Sequence, residues 1–171
     1  MRPSSVVLLA VTFAVGCSQS TPVQPDRVPG AGSSAGSTAL VIPEPGNIGG
    51  RPLTATLTTE NEVPTCTEPP PPARGTARIS INLGQSQVCW VIDVANASLP
   101  FTGAHIHEAP AGSSGPIVVP FTPPDATGHS EGCTTADAEE LKEIMANPDE
   151  YYVNVHNTTC PAGVARGQLS K

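Results

Sequence analysis

Residues 76–94 read Thr-Ala-Arg-Ile-Ser-Ile-Asn-Leu-Gly-Gln-Ser-Gln-Val-Cys-Trp-Val-Ile-Asp-Val. In the first half of this stretch, Ala77, Ile79, Ile81 and Leu83 alternate with polar residues, which is the period of a half-buried β-strand. Residues 84–86, Gly-Gln-Ser, interrupt the alternation, and a second apolar run follows at once. Two such runs on either side of a short turn predict an antiparallel β-hairpin whose apolar positions face inward.

Similar short runs recur on both sides of this hairpin, each bounded by turn-forming residues. We expect further strands at residues 53–57, 103–107, 117–119, 151–156 and 164–169. Residues 136–146 carry apolar side chains at helical spacing and predict one helix, capped by Thr134 or Thr135 and ended by Pro148. Many short strands with one short helix predict an all-β domain, either a Greek-key β-sandwich or an open barrel.

The amino-terminal third of the chain has the composition of targeting and linker segments. Residues 1–17 combine an early arginine, a short apolar run and the sequence Ala-Val-Gly-Cys, and are similar to a lipoprotein signal peptide with its lipobox cysteine. We therefore expect lipid on Cys17, although an ordinary secretory signal is the alternative interpretation. Residues 18–50 are rich in Pro, Gly and Ser and predict a flexible tether, leaving residues 51–171 as the folded domain.

The cysteines indicate an oxidising compartment. Setting Cys17 aside leaves four of the five cysteines, namely Cys66, Cys89, Cys133 and Cys160. An even number in an exported domain is typical of two disulfides, and a four-thiolate zinc site is disfavoured because there is no Cys-x-x-Cys pair. Three pairings are possible, and we expect Cys66–Cys89 and Cys133–Cys160 because each pair is adjacent along the chain.

The charge of the chain limits its partners. Its formal net charge is −7, with only eight lysines and arginines. Since nucleic-acid binding requires a basic surface that neutralises phosphates, the sequence argues against a nucleic-acid partner. The partner that the sequence does predict is a lipid membrane, reached through Cys17.

The four histidines of the chain carry the clearest chemical signal, because all of them lie in the second half of the domain: His105, His107, His129 and His156. The period of two along a strand places His105 and His107 on one face. The same rule places His156 on the face opposite to two buried valines. If these two strands are neighbours, three imidazoles converge, and neutral imidazoles are ligands for copper or zinc. Histidines that are satisfied by hydrogen bonds and bind no metal are the alternative.

Five segments of the domain resemble the CHRD pattern, the module first described in chordin, in their order and spacing. They are residues 55–64, 104–107, 112–118, 152–156 and 166–169. This resemblance covers about the last two-thirds of the chain and implies a β-rich extracellular domain. It does not by itself imply a biochemical activity.

A second resemblance concerns mechanism. Residues 103–108 are similar to the strand that supplies two copper ligands in copper/zinc superoxide dismutases. By this resemblance His129 would be a further ligand on the following loop, His156 would be the ligand of a later strand, and Arg166 would guide the anion to copper. Because no further histidines exist for a separate zinc site, the resemblance implies a copper-only version. Arg166 as a surface residue paired with a carboxylate is the alternative interpretation.

Three hypotheses about function follow. The first is a copper enzyme that dismutates superoxide, a small anion, with Arg166 as the catalytic residue. The second is a copper- or zinc-binding protein without turnover. The third is a metal-free adhesion or interaction module, which the low aromatic content of 4% disfavours because interface hot spots are rich in Trp, Tyr and Arg.

Overall fold

A computed structural model describes residues 52–67, 69 and 71–171. The predicted signal peptide with Cys17, the predicted tether and Arg51 lie outside the described residues. Among the described residues, none of the helices has both the length and the apolar composition needed to cross a bilayer.

The described part of the chain forms one eight-stranded antiparallel sheet with a short helix. The sheet order is β5-β4-β7-β8-β1-β2-β3-β6. The elements are β1 (Leu53–Thr58), β2 (Arg74–Asn82), β3 (Gln87–Ala95), β4 (Phe101–Glu108), β5 (Ile117–Phe121), β6 (His129–Thr135), α1 (Ala138–Ala146), β7 (Tyr151–Asn157) and β8 (Ala165–Gln168). This single, nearly closed sheet confirms the predicted all-β class and is the open barrel rather than the sandwich.

The hairpin predicted from residues 76–94 is present as the β2–β3 pair, in the register Asn82 opposite Gln87. Its turn is stabilised by the side chain of Asn82, which accepts a hydrogen bond from the Gln85 backbone N–H. Ile79 is fully buried, as the alternation predicts. Leu83, which we expected to face inward, is 38% exposed because it begins the turn and no longer belongs to the strand.

The two edge strands of the sheet, β5 and β6, approach each other through side chains. Trp90 of β3 stacks on Phe121 of β5 with ring centroids 4.5 Å apart. The Trp90 indole N–H donates to the Ser130 hydroxyl at 2.9 Å, and this hydroxyl donates to the Thr122 carbonyl oxygen at 2.6 Å. These contacts hold β6 against the segment that follows β5.

The strand β6 was not predicted from the sequence, and its presence changes the start of the helix. Thr134 and Thr135, the expected caps, are the last residues of β6. The cap is instead Asp137, whose carboxylate accepts hydrogen bonds from the backbone N–H groups of Glu139 and Glu140. The helix ends at Ala146, two residues before Pro148, as expected.

The four cysteines of the domain form two disulfides, as predicted, but the expected pairing is wrong. The bonds are Cys66–Cys160 and Cys89–Cys133. Cys89 and Cys133 face each other directly across the β3–β6 pair. Proximity along the chain misled the prediction because β3 and β6 are neighbours in the sheet without being consecutive in sequence.

Candidate metal centre

Strands β4 and β7 lie side by side, and their register brings three of the four histidines together. Gly103 lies opposite His156, His105 opposite Asn154, and His107 opposite Tyr152. The three imidazoles project from the same face of the sheet, because the residues between them, such as Ile106 and Val155, are buried in the core.

The geometry of these imidazoles fits a single metal ion. Ring centroids are 5.5 Å apart for His105 and His107, 5.0 Å for His105 and His156, and 5.9 Å for His107 and His156. One nitrogen of each ring lies within 4.8 Å of the others. His105 Nδ1, His107 Nε2 and His156 Nε2 are buried and have no hydrogen-bond partner among the described residues. A buried nitrogen without a partner is costly, and a metal ion is one group that satisfies three at once.

Backbone carbonyls orient two of the rings. His107 Nδ1 lies 3.0 Å from the Gly115 carbonyl oxygen, and His156 Nδ1 lies 3.1 Å from the Pro161 carbonyl oxygen. A ring nitrogen facing a carbonyl carries the proton, so the lone pair is on Nε2, which faces the cluster. Ligand histidines in metal sites are held in the same way by their second nitrogen.

The electrostatics keep these imidazoles neutral. Burial, followed by His156 and His107, lowers the pKa of His105 to about 4. Burial is also the largest cause that lowers the pKa values of His107 and His156. Neutral rings with available lone pairs are the form that binds copper or zinc, so the donor set fits the predicted metals.

Gly103 gives the rings the space they occupy. A Cβ atom at this position would lie 2.9 Å from His105 Cε1 and 3.5 Å from His156 Cδ2. Any side chain at position 103 would therefore displace at least one of the two imidazoles.

The face that carries the histidines is not an open surface, although the alternation predicted that it points away from the core. Tyr152 and Asn154 on this face are as buried as Val153 and Val155 on the other. His107 is only 8% exposed, whereas His105 and His156 are half-buried. Loops that follow β1, β4 and β7 cover this face. The loops after β4 and β7 contact His107 and His156 through backbone carbonyl oxygens, and the loop after β1 contacts Asn154 through the Glu62 side chain.

Arg166 belongs to a stack behind the cluster. Its guanidinium carbon lies 3.4 Å from the Tyr152 ring centroid, and the other face of that ring stacks on His107. Arg166 is 2% exposed and donates to the Ser113 carbonyl oxygen at 2.8 Å. The interpretation as a surface residue is therefore wrong, and no carboxylate pairs with Arg166 among the described residues.

His129, the expected fourth ligand, lies apart from the cluster. It begins β6, and its Nδ1 lies 2.8 Å from Asp93 Oδ1, while its Nε2 lies 3.8 Å from Glu131 Oε2. The hydrogen bond to Asp93 is the largest cause that raises the pKa of His129. His129 is therefore not placed as a fourth ligand, because the register of β3 and β6 sets it directly opposite Asp93.

One buried polar residue near the cluster, Glu62, was missed from the sequence. Glu62 is 3% exposed and follows the short helical turn after β1. Its Oε2 accepts a hydrogen bond from Asn154 Nδ2 at 3.4 Å. Burial raises the pKa of Glu62 to about 8, although Arg166 and the Asn154 hydrogen bond act in the opposite direction. The one signal in the sequence was Asn154, a polar residue on the same strand face as His156.

A pocket of about 340 Å³ lies on the Arg166 side of this region. Its lining includes Glu62, Val63, Ala111, Gly112, Arg166 and Gln168. Glu62, which is hydrogen-bonded to Asn154, and Arg166, which stacks on Tyr152, therefore both line this pocket.

A family model for the CHRD domain matches residues 53–169, well over half of the chain. The chain belongs to the CHRD family. No curated protein and no solved structure shows a significant match. Each of the five segments that carry the CHRD resemblance contributes to the region just described: Glu62, His105 and His107, Gly115, Asn154 and His156, and Arg166 lie in successive segments.

Proposed function

We propose that this CHRD domain binds one copper ion through His105 Nδ1, His107 Nε2 and His156 Nε2. The observation that carries the proposal is the convergence of three buried ring nitrogens, none of which has a hydrogen-bond partner among the described residues. Two of the rings are also held from behind by backbone carbonyls, so little conformational entropy is lost when an ion binds.

Copper is favoured over other metals by the chemistry of the donors. All four cysteines in the described part of the chain are in disulfides, which leaves no thiolate ligand. Imidazole suits copper and zinc, and a nitrogen site binds Cu²⁺ more tightly than the other divalent metals of the first transition row. Zinc is the alternative cofactor.

We further propose that the copper-loaded domain dismutates superoxide. Three protein ligands leave a coordination position for a small molecule, and two of these ligands, His105 and His156, are only half-buried. When bound, copper supplies an ion that cycles between two oxidation states, so that one superoxide is oxidised to oxygen and a second, with two protons, is reduced to hydrogen peroxide.

Arg166 supports this proposal through its field rather than through contact with the anion. The chain has a net charge of −7 and therefore repels an anion on average. The charge of Arg166 reaches the cluster across the Tyr152 ring, because it contributes to the lowered pKa of His107. A local positive potential of this kind raises the arrival rate of small anions by about ten- to a thousandfold.

Rapid mixing of superoxide with the copper-loaded protein tests the activity. We expect Arg166→Gln to keep copper but to lower the dismutation rate about tenfold and to weaken its dependence on salt. Arg78→Gln is the matched control, since Arg78 is an exposed cation on β2. If the wild type is no faster than copper added to a His105→Ala/His107→Ala variant, the protein binds copper without turning over superoxide.

We propose that the domain acts in the cell envelope, anchored to the membrane by lipid on Cys17. Two disulfides agree with an oxidising, exported location. Mass spectrometry of the mature protein is expected to find a lipid-modified Cys17 at the amino terminus, and an unmodified terminus at another residue would contradict the anchor.

A further inference from the structure

Glu62 is a buried carboxyl group that the proposed copper site does not use as a ligand. Its Oε1 is buried without a hydrogen-bond partner among the described residues, and its Oε2 accepts one hydrogen bond from Asn154 Nδ2. Asn154 Oδ1 is also buried without a partner. Buried polar atoms without a hydrogen-bond partner are rare in proteins, and a role in a functional site is one explanation for them.

Asn154 relates Glu62 to two of the three imidazoles, those of His105 and His156. Asn154 lies directly opposite His105 and two residues before His156 on the same strand face. The Glu62 carboxyl is hydrogen-bonded to that amide, so Asn154 separates it from the cluster. Gly163 permits this packing, because a Cβ atom there would collide with Glu62 Oε2 and lie 2.6 Å from Asn154 Nδ2.

The charges around Glu62 come from few groups. Arg166 on β8 is the cation that acts on it, and Asn154, the hydrogen-bond partner of Glu62 on β7, lies opposite His105 of β4. On its own loop, Glu60 is exposed and forms an ion pair with Arg74 at 2.7 Å. Without metal, burial outweighs the cation and keeps the carboxyl protonated at neutral pH, with a pKa of about 8.

A divalent ion changes this balance. Three neutral imidazoles bring no negative charge to the site, so the ion would add two positive charges to a region that already holds buried Arg166. A nearby positive charge favours the ionised form of a carboxyl group. Within the described residues, Glu62 is the buried carboxyl that is hydrogen-bonded to Asn154, the residue opposite His105 in the β4–β7 pair.

We propose that Glu62 is the charge-compensating group of the metal centre, a carboxylic acid in the metal-free protein and a carboxylate when a divalent ion is bound. This inference rests on the proposed function, because it requires that the three imidazoles hold a metal. Metal binding then releases one proton from Glu62, and affinity rises with pH until the metal-free carboxyl has ionised.

A pH-stat titration of the metal-free protein with Zn²⁺ at pH 7 measures the released protons. Zn²⁺ has the required charge and does not change its oxidation state. The lowered pKa values of the imidazoles favour their neutral form at this pH, which limits the number of protons that they release. A water molecule on zinc can also lose a proton, and infrared spectroscopy of the carboxyl group distinguishes that proton from the one that Glu62 releases.

We expect the wild type to release about one proton more than Glu62→Gln, and Glu60→Gln to behave as the wild type. Between pH 6.5 and 8 the ratio of the wild-type to the Glu62→Gln affinity should change about tenfold per pH unit, the slope that one proton gives. Equal proton release from wild type and Glu62→Gln, with zinc bound to both, would overturn the inference and leave the metal site intact. Failure of the wild type to bind any metal would instead overturn the proposed function, and the inference with it.

Infrared spectroscopy tests the same inference on the wild-type protein alone, so the result does not depend on whether a variant folds. The carbonyl band of a buried carboxylic acid should be present in the metal-free protein at pH 7 and disappear when Zn²⁺ is added. A band that persists in the zinc-loaded protein would show that Glu62 stays protonated and would contradict the inference.

Discussion

The Tyr152 ring lies almost parallel to the His107 imidazole, with ring centroids 4.9 Å apart and ring planes 8° from parallel. The Tyr152 hydroxyl also accepts a hydrogen bond from the Gly115 N–H, and the Gly115 carbonyl oxygen faces His107 Nδ1. Tyr152 therefore fixes His107 both directly and through the loop that orients the ring.

Replacing Tyr152 by leucine should weaken both the fold and the metal site. The loss of a buried ring costs about 2 kcal/mol of unfolding free energy. Loss of the group that orients a ligand lowers metal affinity about ten- to a hundredfold. Urea unfolding and copper competition measure the two effects. Tyr152→Phe, which keeps the stacked ring, should retain most of the affinity, and wild-type affinity in Tyr152→Leu would show that the stack does not position His107.

The disulfides predict two different outcomes when each is removed. The Cys66–Cys160 bond joins residues 94 positions apart and lies next to Pro161, whose carbonyl oxygen orients His156. The double variant Cys66→Ser/Cys160→Ser should lose about 4 kcal/mol of stability and at least tenfold in copper affinity.

The Cys89–Cys133 bond is the matched control, since it links β3 and β6 away from the three imidazoles. Removing it should cost a similar free energy of unfolding but leave the copper affinity of the folded protein unchanged. Equal losses of copper affinity in the two double variants would contradict the role assigned to residues 160–161.

The raised pKa of Glu62 predicts how the stability of the metal-free protein depends on pH. The folded state keeps the proton up to about pH 8, whereas the unfolded chain loses it near the ordinary glutamate pKa of 4.5. Its contribution to stability is complete below pH 4.5 and is lost as pH rises through 8. Between pH 6.5 and 8 the free energy of unfolding should therefore fall by up to about 1.4 kcal/mol per pH unit.

In Glu62→Gln the free energy of unfolding should not show this decrease with pH when it is measured by urea denaturation at several pH values. His129, whose pKa is raised mainly by its hydrogen bond to Asp93, is present in both proteins, so the difference between them isolates Glu62. The three clustered imidazoles have lowered pKa values, so their titration makes stability rise with pH, and it does so at lower pH than the fall caused by Glu62. Parallel stability curves for wild type and Glu62→Gln would show that Glu62 is ionised in the folded protein.

Local sequence patterns were sufficient for most strands and for the three clustered histidines. The period of two placed His105 and His107 on one face, and it needs no knowledge of distant residues. The strand β6 was missed because residues 129–135, His-Ser-Glu-Gly-Cys-Thr-Thr, have no apolar alternation and are held by pairing with β3. The disulfide pairing failed for the same reason, since it depends on which strands are neighbours.

The environment of Glu62 could not be predicted for a related physical reason. In sequence Glu60 and Glu62 are the same residue type two positions apart. One is exposed and paired with Arg74, whereas the other is enclosed by Asn154 and the close approach of Gly163. This difference arises from contacts between residues about a hundred positions apart, which no local pattern records.

The most direct test of the copper site is the metal content of purified protein after copper loading and desalting. We predict one copper per chain in the wild type and in His129→Ala, because His129 is paired with Asp93 outside the cluster. We predict no bound copper in His105→Ala/His107→Ala. Equal copper in the wild type and this double variant would contradict the account.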